Sequence, residues 1–378
     1  MLDVVWDMET GDPDDFLTLL LLLGHPQVNL KAVTVTPGTP DQVGLVRQAL
    51  AWFGREIPVG AHNLDHRPRS LDDEVGPGDG RHGRRGVCVS SWHYRAYGDI
   101  PPSRDAAPGG QVLREMCDDS TTLITGAALK NLGAAMQLPG FRVGRIVVQG
   151  GFAGEGVVPP ERQLAKFRGK VTCPTYNLNG DPKSALAALR HPGIGVRRFV
   201  SKNVCHGVIY DLALHATIGA LRGRSRSLDL IWQGMEVYLE KQGVHRRVLA
   251  RNDEISAAEV LLIGPNGERL GLTPTPRALA LARERGLDLV EVARDGLSPI
   301  HRMMPPAPVT AAPGEAAGKK FHDPLAACCA IDESIGTWAE VELFRERGEW
   351  GARPAVGTNT WIITDHDHDK FVRTLTAF

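Results

Sequence analysis

Several features that would assign this chain to a specialised class are scarce or missing. Six cysteines occur among 378 residues without paired spacing, which argues against a disulfide framework and a zinc site. The formal net charge of −1 provides no general attraction to nucleic acid or membranes. The leucine-rich run at residues 17–23 is too short to span a bilayer, and the chain opens on a predicted strand rather than a signal peptide. We therefore expect a cytoplasmic protein without membrane contact.

The rest of the composition is that of an ordinary globular protein, with 42% hydrophobic and 23% charged residues. Predicted strands at residues 30–36, 57–60, 122–125 and 145–149 alternate with predicted helices. Strands separated by helices favour parallel pairing, because each chain return then crosses a face of the sheet. We predict an α/β fold with an open, mostly parallel twisted sheet and helices on both faces, plus a small inserted α/β domain.

The alternating pattern breaks at about Gly243, where a smaller unit begins. This unit has two strands joined at Asn266-Gly267, a helix begun by Thr275 and a further strand. We predict a main domain from residues 1–245 and 319–378, an inserted domain at 246–304, and a Pro/Ala/Gly linker at 305–318.

Five carboxylates follow the first predicted strand and precede or begin the first helix: Asp7, Glu9, Asp12, Asp14 and Asp15. A helix N-terminus favours one or two acids, but five carboxylates at this point would repel one another. An oxygen-ligated cation such as Ca²⁺ would relieve this repulsion. The sequence therefore predicts a metal site where the strand ends.

The opening acidic motif, together with His322-Asp323-Pro324, resembles the inosine–uridine-preferring nucleoside hydrolase family. The likeness covers residues 1–245 and 319–378, and it continues through these matches: Ala32-Val33-Thr34-Val35, Thr125-Gly126, Asn131, Gly150-Gly151, Asn177, Asp181-Pro182 and Val204-Cys205-His206. The resemblance implies an open α/β sheet, a dimer or tetramer, and cleavage of N-glycosidic bonds with Ca²⁺ at the strand ends.

The resemblance also implies roles for individual residues. Asp15, Asp323 and the Thr125 carbonyl would bind Ca²⁺, and Asp14 would contact the ribose hydroxyls. His322 would protonate or polarise the leaving base. The alternative for His322 is a structural role at a helix start, with Asp323 as the helix cap.

The chain departs from the family motif at the carboxylate that binds the metal and also acts as base. One extra residue in the motif leaves either Glu9 or Asp12 for this role. We favour Asp12, because it keeps a short side chain next to Asp14-Asp15.

The sugar-contacting positions are altered as well. Thr39 replaces the family's Asn, and Thr175 replaces a Glu near the ribose 5′-hydroxyl, which would admit a substituted 5′ position. Further predicted substrate contacts are His82, Gln149 and Asn177.

The inserted unit resembles the N-terminal domain of bacterial translation initiation factor three. The matches include Arg251-Asn252-Asp253-Glu254-Ile255, Gly267-Glu268, residues 286–293 and residues 299–304. The resemblance implies contact with the small ribosomal subunit or RNA, although the near balance of charge disfavours strong non-specific RNA binding. A lid or an oligomer contact is the structural alternative.

Two functions from different classes follow. The first is Ca²⁺-dependent hydrolysis of the N-glycosidic bond of a nucleoside-like compound. The second is a non-catalytic, ribose-recognising protein that associates with the ribosome or RNA.

Overall fold

The computed structural model describes residues 1–66, 88–241, 252, 255, 257–265, 268–295, 298–304 and 318–378. The chain divides into two compact units. The first contains Met1–Tyr238 and Lys319–Phe378, and the second contains Leu239–Gly318.

The strands before the second unit are β1 (Leu2–Met8), β2 (Val28–Val35), β3 (Val59–Ala61), β4 (Ala107–Pro108), β5 (Thr122–Thr125), β6 (Val143–Gln149), β7 (Thr172–Cys173), β8 (Ile194–Val200) and β9 (Ile209–Tyr210). The second unit contains β10 (Glu259–Ile263), β11 (Arg269–Pro274), β12 (Asp288–Asp295) and β13 (Ser298–Met304). The chain then forms β14 (Lys319–Lys320), β15 (Gly336–Glu346), β16 (Glu349–Pro354) and β17 (Thr360–His366).

The α-helices that precede the second unit in the chain are α1 (Pro13–Gly24), α2 (Pro40–Trp52), α3 (Ser91–Tyr97), α4 (Gly109–Met116), α5 (Lys130–Met136), α6 (Tyr176–Gly180), α7 (Pro182–Ala188), α8 (Lys202–Cys205), α9 (Leu212–Gly219) and α10 (Arg226–Lys241). The second unit adds α11 (Thr275–Glu284), and the returning chain adds α12 (His322–Ile331) and α13 (His368–Leu375).

The large sheet of the first unit has the strand order β4-β3-β2-β1-β5-β6-β8-β17-β15-β16-β7. Pairing is parallel from β4 through β17 and antiparallel from β17 to β7. This arrangement confirms the predicted α/β class with a mostly parallel sheet.

The centre of this sheet is buried on both faces. Val4, Val5 and Trp6 of β1 have no exposed surface, as expected for a parallel strand covered by helices. Val5 belongs to a core cluster with residues of α4, α5 and α7, whereas α1 packs against α12. The helix α1 is buried from Pro13 to Leu23, which explains its almost uninterrupted apolar sequence.

The second unit, taken by itself, has a four-stranded sheet in the order β11-β10-β13-β12. Its small core contains Val260, Leu262, Ala278, Ala282 and Leu289, among others. The predicted strand–strand–helix–strand order is therefore present. Among the described residues, no helix of either unit combines the length and apolar character needed to cross a membrane.

The carboxyl ends of β1, β5, β6 and β8 meet at one edge of the large sheet, because these strands run parallel side by side. In open α/β folds this edge is where ligands bind. The helix starts of α1, α5 and α8 follow shortly after β1, β5 and β8 in the chain.

Candidate active site

Three buried carboxylates converge at this edge of the sheet. Asp14 and Asp15 lie in the first turn of α1, and Asp323 lies in the first turn of α12. One ligand oxygen from each lies within 4.8 Å of the others, and their side chains belong to residues only 2%, 2% and 4% exposed. The sequence therefore brings together acids more than 300 positions apart.

A glycine leaves the space that this cluster needs. Gly126 follows β5, and a Cβ atom at this position would lie 2.6 Å from Asp323 Oδ1 and 2.8 Å from the Trp6 ring. Both distances are shorter than normal contacts, so the turn after β5 requires glycine for a close approach.

The electrostatics of the cluster favour a bound cation. Burial, followed by the charges of Asp323 and Glu9, raises the pKa of Asp15 well above its usual value. Burial and then Asp14 raise the pKa of Asp323 in the same way. Asp323 Oδ1 is buried and has no hydrogen-bond partner among the described residues. These groups fit a hard divalent cation, which would offset the repulsion and use the unpaired oxygen.

Lys319 neutralises the outer part of the cluster. Its Nζ lies 2.9 Å from Asp14 Oδ1 and 3.0 Å from Asp12 Oδ2. The other oxygen of Asp14 accepts a hydrogen bond of 3.1 Å from the His322 backbone N–H. Burial raises the pKa of Asp14, but the charges of Lys319 and His322 outweigh it, so this pKa lies below its usual value. Asp14 is thus held as a carboxylate.

Glu9 and Asp12 occupy different environments. Asp12 is the N-cap residue of α1, but its side chain makes no cap hydrogen bond; it is 63% exposed and pairs with Lys319. The pKa of Glu9 is raised to about 8, first by burial and then by Asp12 and Asp14. The Glu9 backbone N–H donates a hydrogen bond of 3.1 Å to Asp15 Oδ1. Glu9 is therefore the more deeply buried carboxylate of the two, and its backbone is joined to the cluster.

Asp7, near the end of β1, accepts hydrogen bonds from side chains of β2, β5 and α5. Its Oδ1 accepts hydrogen bonds from Thr34 Oγ1 (2.7 Å) and Asn131 Nδ2 (2.9 Å), and its Oδ2 accepts one from Thr125 Oγ1 (3.3 Å). Burial raises the pKa of Asp7 to about 6, and the three hydrogen bonds act against this rise. Asp7 thus positions Thr125, whose carbonyl is a predicted metal ligand.

Two histidines form a stacked pair beside the carboxylates. The His322 and His206 rings are 4.9 Å apart with an interplanar angle of 16°. Burial lowers the pKa of His322, and its Nε2 is buried without a hydrogen-bond partner among the described residues. Phe321 rather than Asp323 is the N-cap residue of α12, so the predicted alternative of a capping Asp323 does not describe this helix start.

The predicted sugar contacts fall into two groups. Gln149, Thr175 and Asn177 come together: Asn177 Nδ2 donates to Gln149 Oε1 at 2.7 Å, and Thr175 begins the same short helix α6. Thr39 instead begins α2, where its hydroxyl accepts a hydrogen bond from the Gln42 backbone in a capping box. The predicted contact His82 lies outside the described residues.

Two features of this site were not foreseen from the sequence. Lys319 was not predicted to contact the acids, because lysine is not a metal ligand and its position before α12 carries no motif. Asp7 was counted among the repelling acids, whereas the structure surrounds it with hydrogen-bond donors. Asp7 and Thr34 lie near the ends of β1 and β2, and Asn131 lies in α5 just after β5, so the only sequence signal was their place close to strand ends.

The inserted part of the chain matches the model of the translation initiation factor IF-3 N-terminal domain at residues 251–306. It is 47% identical over 64 residues to translation initiation factor IF-3 of Nitratidesulfovibrio vulgaris, covering 17% of this chain and 36% of that protein. It is 49% identical over 53 residues to the factor of Streptomyces coelicolor, covering 14% and 24%. The chain thus spans about a third or less of these curated relatives, and the predicted resemblance of the insert is confirmed.

Solved structures share the fold of the whole chain. The inosine–uridine-preferring nucleoside hydrolase of Bacillus anthracis aligns with a TM-score of 0.56 and 14% identity, covering 100% of this chain and 98% of that one. A plant nucleoside hydrolase aligns with a TM-score of 0.53 and 17% identity, covering 99% and 98%. At such identities the likeness establishes the fold alone.

The family itself follows from the sequence match. The model of the inosine–uridine preferring nucleoside hydrolases matches residues 4–262, which include the end of β1, the carboxylates of α1 and the strands that form the edge of the site. This match covers more than half of the chain, and it agrees with the fold. The protein therefore belongs to the inosine–uridine preferring nucleoside hydrolase family, which confirms the predicted family and its enzyme class, an N-ribohydrolase.

Proposed function

We propose that this protein is a Ca²⁺-dependent hydrolase of the N-glycosidic bond of a ribonucleoside or a nucleoside-like compound. The reaction would add the oxygen of water to C1′ of ribose, break the C1′–N bond, and release ribose and the free base. The observation that carries the proposal is the buried group of Asp14, Asp15 and Asp323, beside His322; within the described part of the chain, Asp323 Oδ1 and His322 Nε2 have no hydrogen-bond partner. This set favours a hydrolase over a ribose-recognising protein without activity.

The metal would be held by the three buried carboxylates and the Thr125 carbonyl. Ca²⁺ prefers oxygen ligands, and a bound cation lowers the pKa of a water molecule and orients hydroxyl groups. We propose that Asp14 also contacts the sugar; Lys319 and the His322 backbone hold its two oxygens and keep it ionised. Sugar hydroxyls would donate hydrogen bonds to this carboxylate.

Glu9 is our choice for the base that takes a proton from the attacking water, although the motif alone favoured Asp12. A general base acts best when its pKa lies near the working pH, and the pKa of Glu9 is raised to about 8. Asp12 is largely exposed and pairs with Lys319. What supports Glu9 is therefore its burial and its place beside Asp15.

We propose that His322 assists departure of the base. Cleavage of a glycosidic bond passes through an oxocarbenium-like state, in which charge builds up on the leaving group. An imidazole Nε2 that lacks a partner can donate a hydrogen bond or a proton to a ring nitrogen of the base. The stacked ring of His206 fixes the orientation of His322.

Further proposals concern the oligomeric state, the location and the partner of the inserted unit. We propose a cytoplasmic homo-oligomer, a dimer or tetramer, in which the inserted unit contacts the small ribosomal subunit or RNA. Support for the ribosomal contact is the likeness of residues 251–306 to the N-terminal domain of initiation factor IF-3.

Release of free base from purified protein tests the proposed reaction. Inosine, uridine, adenosine, cytidine and nicotinamide riboside are incubated with the protein, and the released base is separated by chromatography. The same reactions are run after chelation of divalent ions and after Ca²⁺ is restored. We expect base release that stops on chelation and returns with Ca²⁺. Base release that is unaffected by complete chelation would contradict the metal dependence.

A further inference from the structure

A group of positively charged side chains lies beside the stacked histidines. The ring of Phe167 packs edge-on against His206, with 5.4 Å between ring centroids. The Nζ atoms of Lys166 and Lys202 lie 5.5 and 6.0 Å from the centre of the same Phe167 ring. Two ammonium groups and the imidazole that orients His322 therefore share one aromatic neighbour.

Lys202 is built into the edge of the sheet. It begins α8 directly after β8, and its backbone N–H donates to the Gly151 carbonyl at 3.0 Å. Its Nζ donates to the Pro174 carbonyl at 2.9 Å, which places the ammonium next to Thr175. The Lys202 side chain is thus fixed between the segment after β6 and the start of α6.

Thr175 offers an unused hydroxyl at this point. The residue is 3% exposed, and its Oγ1 has no hydrogen-bond partner among the described residues. Next to it, the pKa of Tyr176 is raised chiefly by the charge of Glu9, so this segment borders the carboxylate cluster. The Thr175 hydroxyl and the Lys202 ammonium group, which binds the carbonyl of the preceding residue, are both donors suited to an anion.

The charges around His206 also favour the binding of an anion. Burial, followed by the charges of His322, Lys166, Lys320 and Lys202, lowers the pKa of His206 to about 3. Three lysines are thus close enough to oppose a positive charge on His206. Glu155, an acid on the segment after β6, is exposed and accepts a hydrogen bond from the Gly169 backbone.

We propose that the substrate carries an anionic group, a 5′-phosphate, which Lys202 and the Thr175 hydroxyl bind with the charges of Lys166 and Lys320 nearby. The preferred substrate is then a nucleoside 5′-monophosphate, and the sugar product is ribose 5-phosphate. This inference rests on the proposed function. A threonine in place of a carboxylate removes the repulsion that a phosphate would meet, and the lysines provide attraction.

Equilibrium binding of the sugar product tests the subsite without turnover. Ribose and ribose 5-phosphate are titrated into the full-length protein with Ca²⁺ present, and binding is followed by calorimetry. We expect ribose 5-phosphate to bind at least about tenfold more tightly, as charge-assisted hydrogen bonds imply. The variant Lys202→Met should lose most of this preference. The matched control is Lys31→Met, because Lys31 pairs with Asp3 and Asp118 and also loses one charge; it should keep the preference.

The rate of base release provides a second test of the 5′-phosphate subsite. Uridine is compared with uridine 5′-monophosphate and with orotidine, whose base carries a carboxylate, by kcat/KM for each. Preference for the monophosphate, lost in Lys202→Met, supports the inference. Preference for orotidine without tighter binding of ribose 5-phosphate would place the anion on the base and overturn the assignment of a 5′-phosphate.

Different results would contradict the 5′-phosphate subsite and the proposed hydrolysis. If uridine is hydrolysed at least as well as its monophosphate and ribose 5-phosphate binds no more tightly than ribose, the inference is overturned while the proposed function stands. If no compound loses its base but ribose 5-phosphate still binds preferentially through Lys202, the proposed reaction fails and the anionic subsite is supported.

Discussion

At the scale of residues, the site combines two kinds of carboxylate. Asp14 is paired with Lys319 and stays ionised, whereas Asp15 and Asp323 are buried close together with raised pKa values. Removal of one acid from such a group lowers the repulsion but also removes a ligand. Under the proposed function, the chemistry depends on which of these side chains bind the metal and which contact the substrate.

Substitution of the two candidate bases separates their roles. Glu9→Gln keeps the shape of the side chain but cannot take a proton, so we expect kcat to fall by roughly 10²-fold or more. Asp12→Asn alters an exposed carboxylate, so kcat should stay within a few-fold of the parent enzyme. Steady-state base release measures both. A large loss in Asp12→Asn with near-normal Glu9→Gln would return the role of base to Asp12.

Substitution of His322 tests assistance to the leaving group. We expect His322→Ala to slow hydrolysis of an ordinary nucleoside by roughly 10²-fold or more, since the departing base then lacks a proton donor. A nitrophenyl riboside has a good leaving group and should lose much less. His191→Ala, which removes a histidine outside the candidate site, is the control. Equal losses on both substrates would mean that His322 only positions the sugar.

At the scale of elements, the parallel part of the sheet was predictable and its antiparallel side was less so. Strands such as β1 and β6 contain continuous apolar runs, because both of their faces are covered. The strands β15 and β16 were not predicted: β15 mixes buried positions such as Val341 with exposed ones such as Glu342, so its pattern is weak. The two-residue strand β9 pairs with β14, which lies more than 100 residues later in the chain, so no local pattern could predict this pairing.

In the candidate site, too, local motifs could be predicted from the sequence but long-range contacts could not. The acidic motif and His322-Asp323 could be read from the sequence because they are local. The partners of Asp7 and Asp14 could not, because Asn131 and Lys319 reach these acids through the packing of distant elements.

The turn after β5 offers a test at this scale. Gly126→Ala would place a Cβ atom against the Asp323 carboxylate and the Trp6 ring, so these side chains must move. We expect Ca²⁺ affinity to fall at least about tenfold, with a destabilisation of about 1–3 kcal/mol, as overpacking implies. Calorimetry and thermal unfolding measure these effects. Gly11→Ala is the matched control, because a Cβ there meets nothing within 4 Å; equal effects in both variants would refute the steric explanation.

At the scale of the whole molecule, two families share one chain. Each unit has its own sheet and its own core, which is the arrangement expected when a domain is inserted into a surface loop. The hydrolase motifs lie on both sides of the insert in sequence, with Asp14 before it and Asp323 after it. The insert is therefore an addition to the hydrolase and not a substitute for part of its site.

Deletion of the insert tests its role. We expect that replacement of residues 246–317 by a short Gly/Ser loop gives a folded, Ca²⁺-binding protein that still hydrolyses small substrates but no longer co-sediments with ribosomes. A lid would behave differently, because loss of closure should change kcat or KM strongly. Circular dichroism, base release and sedimentation distinguish these cases. A deleted protein that cannot fold would contradict the separate-domain proposal.

Calorimetric titration of Ca²⁺ tests whether Asp14, Asp15 and Asp323 form one Ca²⁺ site. We expect one ion per chain for the parent protein, no measurable binding for Asp15→Ala or Asp323→Ala with the fold retained, and binding close to that of the parent for Asp12→Asn. Undiminished Ca²⁺ binding in Asp15→Ala would contradict the site.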